Sequence, residues 1–248
     1  MEMKVVEGKF GLKYKIIGKY DLISKHVEML GEFEPDMVAI ADSLLQHNAG
    51  DILDIGANMG TFTMPIARGY PERHVYAIEV QPKVFNQLLD NLEINKLNNV
   101  TSCFFGLSDK EEVIQAVAPD YDTETNIGAF SLDDEVRKHD YESFTRGGNI
   151  QCHLYTMDSQ FFKNIGLIKI DVEGMELKVL KGGVKTIEEN NFPPIIFEGW
   201  TWKEWFAPRL SDLLSYVESL GYVIQQKENN FIAQHKSRTP YLQFSWNQ

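Results

Sequence analysis

Asp51-Ile52-Leu53-Asp54-Ile55-Gly56-Ala57-Asn58-Met59-Gly60 decides how this chain folds. A short apolar run passes straight into a glycine-bearing turn, and helix-like sequence follows to about Arg68. Glycine tolerates positive φ and lets backbone approach a ligand closely. Exposed N–H groups at a helix start can face a polar or anionic group. The spacing is G-x-x-x-G rather than G-x-G-x-x-G, so the dinucleotide fingerprint is incomplete. Alone, the loop reads equally well as a cofactor cradle or as a tight turn. Glu79 tips the balance, because it ends the next strand, His74-Val75-Tyr76-Ala77-Ile78. A carboxylate there can accept both hydroxyls of an adenosine ribose.

Working outward, strands and helices alternate. Pro82 to Leu97 reads as a helix, with Val84, Phe85, Leu88, Leu89, Leu92 and Ile94 as its apolar stripe, and Val100 to Leu107 as a third strand. Gly166 to Ile170 is a fourth strand, followed by a helix through Leu177 and Leu180 to Ile187. Pro194 to Phe197 is a fifth, ending at Glu198; Leu210 to Leu220 is helical, and 222–224 with 231–233 suggest a closing antiparallel pair. Such alternation predicts an α/β fold, a parallel sheet covered on both faces. Upstream, Lys9 to Tyr14 alternates as an edge strand would, and Met37, Ile40, Ala41, Leu44 and Leu45 recur at helical spacing behind Pro35. This sets out an N-terminal extension over 1–48 and a main domain over 49–248, interrupted at about 111–150 by an insertion of turns and short strands. Insertions of that kind usually build a substrate lid.

Composition narrows the partners. With 24 Lys+Arg against 36 Asp+Glu, the net charge of −12 repels phosphate backbones and anionic headgroups, so no nucleic-acid partner is expected. Cys103 and Cys152 sit in no metal-spaced pattern. No apolar stretch approaches the ~20 residues needed to span a bilayer, and Met1 to Phe10 lacks a signal-like apolar core, so the expected compartment is the cytoplasm.

The same residues resemble a known family. Asp54 to Gly60 looks like motif I of class I S-adenosylmethionine-dependent methyltransferases, and Gly-Ala-Asn followed by Val75-Tyr76-Ala77-Ile78-Glu79 looks like the FkbM family. The resemblance continues through Asn95, Asn99-Val100, Gly106-Leu107-Ser108-Asp109 and Thr156-Met157-Asp158. It is most distinctive at 167–176, which reads Leu-Ile-Lys-Ile-Asp-Val-Glu-Gly-Met-Glu, and it runs on to Gly183 and Glu198. It implies a Rossmann-like three-layer sandwich, a mostly parallel sheet with an antiparallel closing strand, using S-adenosylmethionine. By analogy Asp54, Gly56, Ala57, Asn58 and Gly60 surround the methionine portion and ribose, Glu79 holds the ribose hydroxyls, and Leu107 and Ser108 border adenine. Met59 and Met157 depart from the family pattern, and 120–149 matches nothing that can be carried over.

For chemistry, Asp171 and Glu173 at the end of the fourth strand are the candidate general bases for a hydroxyl nucleophile. Their plainer alternative is favourable charge at a helix start, or an internal ion pair with Lys169. Asp158, Asp171 and Glu198 are expected to converge at one rim, and such oxygens suit a divalent metal, Mg²⁺ or Ca²⁺, although no ligand spacing proves one. Trp200, Trp202, Trp205 and Phe206 read as a sugar platform, a core cap or a homodimer contact. The expectation is an O-methyltransferase acting on a hydroxyl of a small molecule: a sugar, glycan or secondary metabolite. Its rivals are an oxidoreductase on the same sheet, against which the missing third glycine counts, and a non-catalytic scaffold. Nucleic-acid N-methylation lacks its usual Asn/Asp-Pro-Pro-aromatic turn after the fourth strand, where Asp171-Val172-Glu173-Gly174 stands instead.

Overall fold

Strand β3 (Asp51–Ile55) is an interior strand of a seven-stranded sheet, and the alternation of its side chains organises the molecule. Ile52 faces one helical layer; Leu53 and Ile55 face the other. The computed structural model describes residues 4–16, 21–123, 126–140 and 147–245. On one side of β3 pair β4 (Val75–Ile78) and then β5 (Val100–Cys103), both parallel. On the other side come β9 (Ile165–Ile170) and β10 (Ile195–Glu198), also parallel. Only β12 (Asn230–His235) runs antiparallel, between β10 and β11 (Tyr222–Lys227). Every residue of β9 is buried, as expected of a parallel strand covered on both faces.

Helices α2 (Pro35–Leu45) and α3 (Thr63–Gly69) pack on Ile52, Val75, Leu167, Ile196 and Ile232. Helices α6 (Glu176–Lys181), α7 (Val184–Glu189) and α8 (Ala207–Ser219) pack on Leu53, Ile55, Ile168, Ile170 and Phe197 across the sheet. The helix expected through Leu177 and Leu180 to Ile187 is two helices. It breaks at Gly182-Gly183, where added Cβ atoms would lie 2.0 Å from the Ser108 carbonyl and 2.7 Å from Met157 Sδ.

The strand expected over 100–107 also divides. After β5 the chain leaves the main sheet and β6 (Gly106–Leu107) joins a separate three-stranded sheet, parallel to β8 (Asn149–Tyr155). The insertion supplies its third strand, β7 (Glu112–Val117), antiparallel to β8, and a helix, α5 (Asp134–Asp140). Ala116, Phe130, Leu132, Leu154 and Met175 close a small core beneath it.

The extension starts with β1 (Val5–Glu7) and β2 (Lys13–Lys15), paired antiparallel. The residues 9–14 are not one strand: Phe10 and Gly11, at φ 58° and 67°, turn the chain within a 3₁₀ segment. The hairpin is held by α4 (Pro82–Asn95), whose buried Gln87, Asn91 and Asn95 stand one turn apart. Lys13 N–H donates to Asn95 Oδ1 at 2.8 Å, Lys15 N–H donates to Asn91 Oδ1 at 2.7 Å, and Asn95 Nδ2 donates to the Lys13 carbonyl at 2.6 Å. Gln87 donates to the Lys15 carbonyl. The amide stripe thus acts as a strand partner for β2, satisfying backbone groups that burial would otherwise penalise. Helix α1 (Leu22–Leu30) follows, and its N-cap, buried Asp21, accepts Ser24 N–H through one oxygen and Ile127 N–H of the insertion through the other. No described helix is long and apolar enough to cross a membrane.

Candidate active site

The C-terminal ends of β3, β4, β9 and β10 open onto one cavity, of about 1120 Å³ with the adjoining solvent space included. Ligand clefts of α/β sheets belong at those strand ends. Gly56, Asn58, Glu79, Gln81, Leu107, Asp171, Glu173 and Glu198 line it, with Phe33 and Glu34 from the extension and Asn126, Gly128 and Phe130 from the insertion.

Gly56 stands at φ 84°, and a Cβ there would sit 1.8 Å from the Asp171 carbonyl. Its backbone is close to another strand's turn, so its lack of a side chain serves the joint between β3 and β9. Gly56 and Ala57 N–H both donate to the Ile78 carbonyl, at 3.0 and 2.9 Å, which fixes the loop to β4. Asn58, at φ 50°, accepts Met59 N–H through its side chain at 2.7 Å. Gly60, at φ 94°, faces Leu88 behind the loop rather than the cavity.

Glu79 is 6% exposed and turns back on the loop. It accepts Asn58 N–H at 2.9 Å and Gln81 N–H at 2.8 Å. Burial pushes its carboxyl up to about 7, with those N–H groups opposing the rise. Leu107 borders the same end of the cavity, whereas Ser108 is fully buried outside it, with its N–H on the Tyr155 carbonyl at 2.8 Å.

Asp54 is fully buried beneath the loop, where Thr63 donates to Oδ2. Its Oδ1 has no hydrogen-bond donor and lies 3.5 Å from Lys169 Nζ. Lys169 also reaches the Gly56 carbonyl at 3.1 Å and Asp171 Oδ2 at 3.2 Å. Burial alone would lower the Lys169 pKa; the carboxylates of Asp171 and Asp54 more than reverse that, so the ammonium stays charged. One buried cation thereby ties the glycine loop to the candidate base.

Asp171, Glu173 and Glu198 each place an oxygen within 4.8 Å of the others, and Mg²⁺ or Ca²⁺ suits such donors. The expected third member, Asp158, is elsewhere. Its carboxylate caps α7, accepting Thr186 N–H at 2.7 Å, because it follows β8 rather than a strand of the main sheet. Glu173 takes the place expected for Asp158. Burial, and then Asp171, Glu173 and Glu176, hold the Glu198 carboxyl well above its ordinary range. Trp200 donates to it at 3.1 Å. Trp200 and Phe206 are buried in a cluster with Val136, a core cap; Trp202 is exposed.

The surroundings fit S-adenosylmethionine in chemistry. There is a carboxylate to receive a diol, apolar Val80, Phe105 and Leu107 beside it, and a buried carboxylate, Asp54, short of one donor under the loop. Glu34, Phe33, Gln81 and Asn126 were not singled out from sequence. Gln81 carries a legible signal, standing two residues past Glu79; the others reach the cavity through tertiary contacts alone.

Residues 54–224 match a family model described as a methyltransferase FkbM domain. "Methyltransferase 1" of Beauveria bassiana is 27% identical over 143 residues, covering 53% of this chain and 57% of its own. "Methyltransferase sdnD" of Sordaria araneosa is 31% identical over 153 residues, covering 53% and 59%. The chain thus spans under two thirds of the length of these curated relatives. The crystal structure of a methyltransferase FkbM from Methylobacillus flagellatus shares the fold at a TM-score of 0.50 and 17% identity, over 75% of this chain and 44% of that one.

Proposed function

The chain belongs to the FkbM methyltransferase family, and from that premise we propose that it methylates a hydroxyl oxygen of a sugar, glycan or secondary metabolite. S-adenosylmethionine, the cofactor of this family and fold, supplies an electrophilic methyl group on a sulfonium. Asn58 and Glu79 would hold its ribose side, and Leu107 its adenine side. The single observation that carries the reading is the cavity itself: the glycine loop with Glu79, and the carboxylates of Asp171 and Glu173, line one cavity.

A hydroxyl is a poor nucleophile until its proton is taken as the new C–O bond forms. Asp171 or Glu173 takes that proton, while Lys169 holds Asp171 against the loop. Orientation of the acceptor against the methyl group supplies much of the rate. Carboxylates crowd the acceptor end, and Lys169 beside them is engaged by Asp54 and Asp171. That charge favours neutral polyol acceptors over phosphorylated ones.

The test is a screen with methyl-labelled cofactor against glycosides, polyols and phenols, with products assigned by NMR. An O-methyl product supports the reading; methyl groups found only on carbon or nitrogen overturn it. Saturable binding of S-adenosylhomocysteine with no transfer to any acceptor would favour a scaffold. Asp171→Asn and Glu173→Gln probe the base. At least one should lose about 10²-fold or more in kcat, with affinity for S-adenosylhomocysteine unchanged. Full turnover in both variants removes both residues from the proton transfer.

A further inference from the structure

The expected substrate lid has a different arrangement in its second half. Glu173 and Gly174 are consecutive residues at positive φ, 54° and 95°, in the turn that leaves β9. A non-glycine residue in that region costs roughly 1–2 kcal/mol, so the surroundings must hold it there. They do so on both sides of the backbone. On the amide side, Val172 and Gly174 N–H donate to buried Glu176 Oε1 at 3.1 and 3.2 Å. On the carbonyl side, Ser131 Oγ of the insertion donates to the Glu173 carbonyl at 2.6 Å, and Arg209 Nη2 of α8 donates to the Gly174 carbonyl at 3.1 Å.

Both carbonyl contacts are anchored by Asp133. Its N–H donates to Ser131 Oγ at 3.1 Å, and its carboxylate receives Arg209 through both nitrogens, at 2.9 and 2.8 Å. Lys178 of α6 adds a contact at 3.1 Å, and the N–H groups of Glu135 and Val136 cap α5 on the same carboxylate. Burial would raise the Asp133 carboxyl; Arg209 and Lys178 outweigh it and hold it well below the usual carboxylate range. Val136 seals the joint, since a Cβ on Gly174 would lie 2.7 Å from its Cγ2.

We infer that residues 131–136 are a fixed clamp on the Glu173 turn, in which Ser131 and Arg209 are positioning residues that aim the Glu173 carboxylate at Asp171 and Glu198. This rests on Glu173 serving the proposed reaction. The clamp crosses from the insertion to α6 and α8, so it sets the acceptor end of the cavity and leaves Glu79 and the glycine loop untouched.

Hydrogen–deuterium exchange of the full chain tests the clamp without an acceptor. In Arg209→Met, exchange over 171–176 should rise about tenfold, with β3 and β4 unchanged. Arg209→Lys should restore part of the protection. Ser131→Ala, a milder change, should raise exchange over the same residues about threefold while S-adenosylhomocysteine binds as before. Exchange over 171–176 that stays within about twofold of wild type in both Arg209→Met and Ser131→Ala overturns the clamp. Turnover on any hydroxyl acceptor found in the screen is the second readout. A loosened turn with kcat unchanged overturns the positioning role. A loosened turn in a protein that methylates no hydroxyl leaves the clamp standing and removes the function proposed above.

Discussion

With the ribose contact proposed for it, Glu79 would link protonation to ligand binding. Its carboxyl titrates near 7 because burial disfavours the charge, and the two N–H donors it holds offset only part of that. Ribose hydroxyls donate to a carboxylate better than to a carboxylic acid, so binding favours the ionised form. Below pH 7 a proton must leave as the cofactor binds. The dissociation constant of S-adenosylhomocysteine should therefore rise as pH falls from 8 to 6, approaching about tenfold per pH unit at the acid end. Calorimetry in buffers of different ionisation heat would show the released proton. Glu79→Ala should weaken binding by about 1.5–3 kcal/mol and abolish the pH dependence. Retained affinity in that variant would put the ribose contact on another group.

At the level of elements, the legible parts were those with a periodic signal. β3, β4, β9 and β10 and the helices following β3 and β4 show in the spacing of apolar residues, because each must bury a face. Gly56, Glu79, Asp171, Glu173 and Glu198 could be placed together because all follow strand ends of one parallel sheet. The second sheet was hidden, since β6 is a two-residue strand that takes meaning only from β8. Asp158 was misplaced for the same reason: the strand before it belongs to that smaller sheet. The partner of β2 was equally invisible, being a column of amides on a helix. That column has a measurable weight. Asn91→Leu leaves Lys15 N–H and the Met59 carbonyl without their partners and should cost about 2–3 kcal/mol in urea unfolding. A smaller loss would mean that water replaces the amide.

Across the whole molecule, charge and cavity work against each other. The net charge is −12, yet Glu79 and Glu176 are buried with carboxyls pushed up to about 7, in both cases chiefly by burial. A group whose folded pKa lies above its unfolded one stabilises the fold while protonated. That contribution is full below about pH 4.5 and is lost as pH rises through 7. Each of the two should remove up to about 3 kcal/mol over that interval, so the cofactor-free protein should melt at a lower temperature at pH 8 than at pH 5.5. A flat or rising profile would show that both carboxyls stay ionised in the fold. Saturating S-adenosylhomocysteine should recover the loss at pH 8, since it binds the ionised state. Leu22 and Ile23 of α1 and Asn126 and Gly128 of the insertion border that cavity from two parts of the chain. Asp21 fastens the start of α1 and the backbone of Ile127 with a single buried carboxylate, joining segments 106 positions apart in the chain. The Ser24 bond caps the helix locally, and the Ile127 bond links the two segments. The extension and the insertion should therefore open together: Asp21→Ala should raise amide exchange at the start of α1 and around Ile127 in step, and exchange that rises at one of them alone would show the two to be independent.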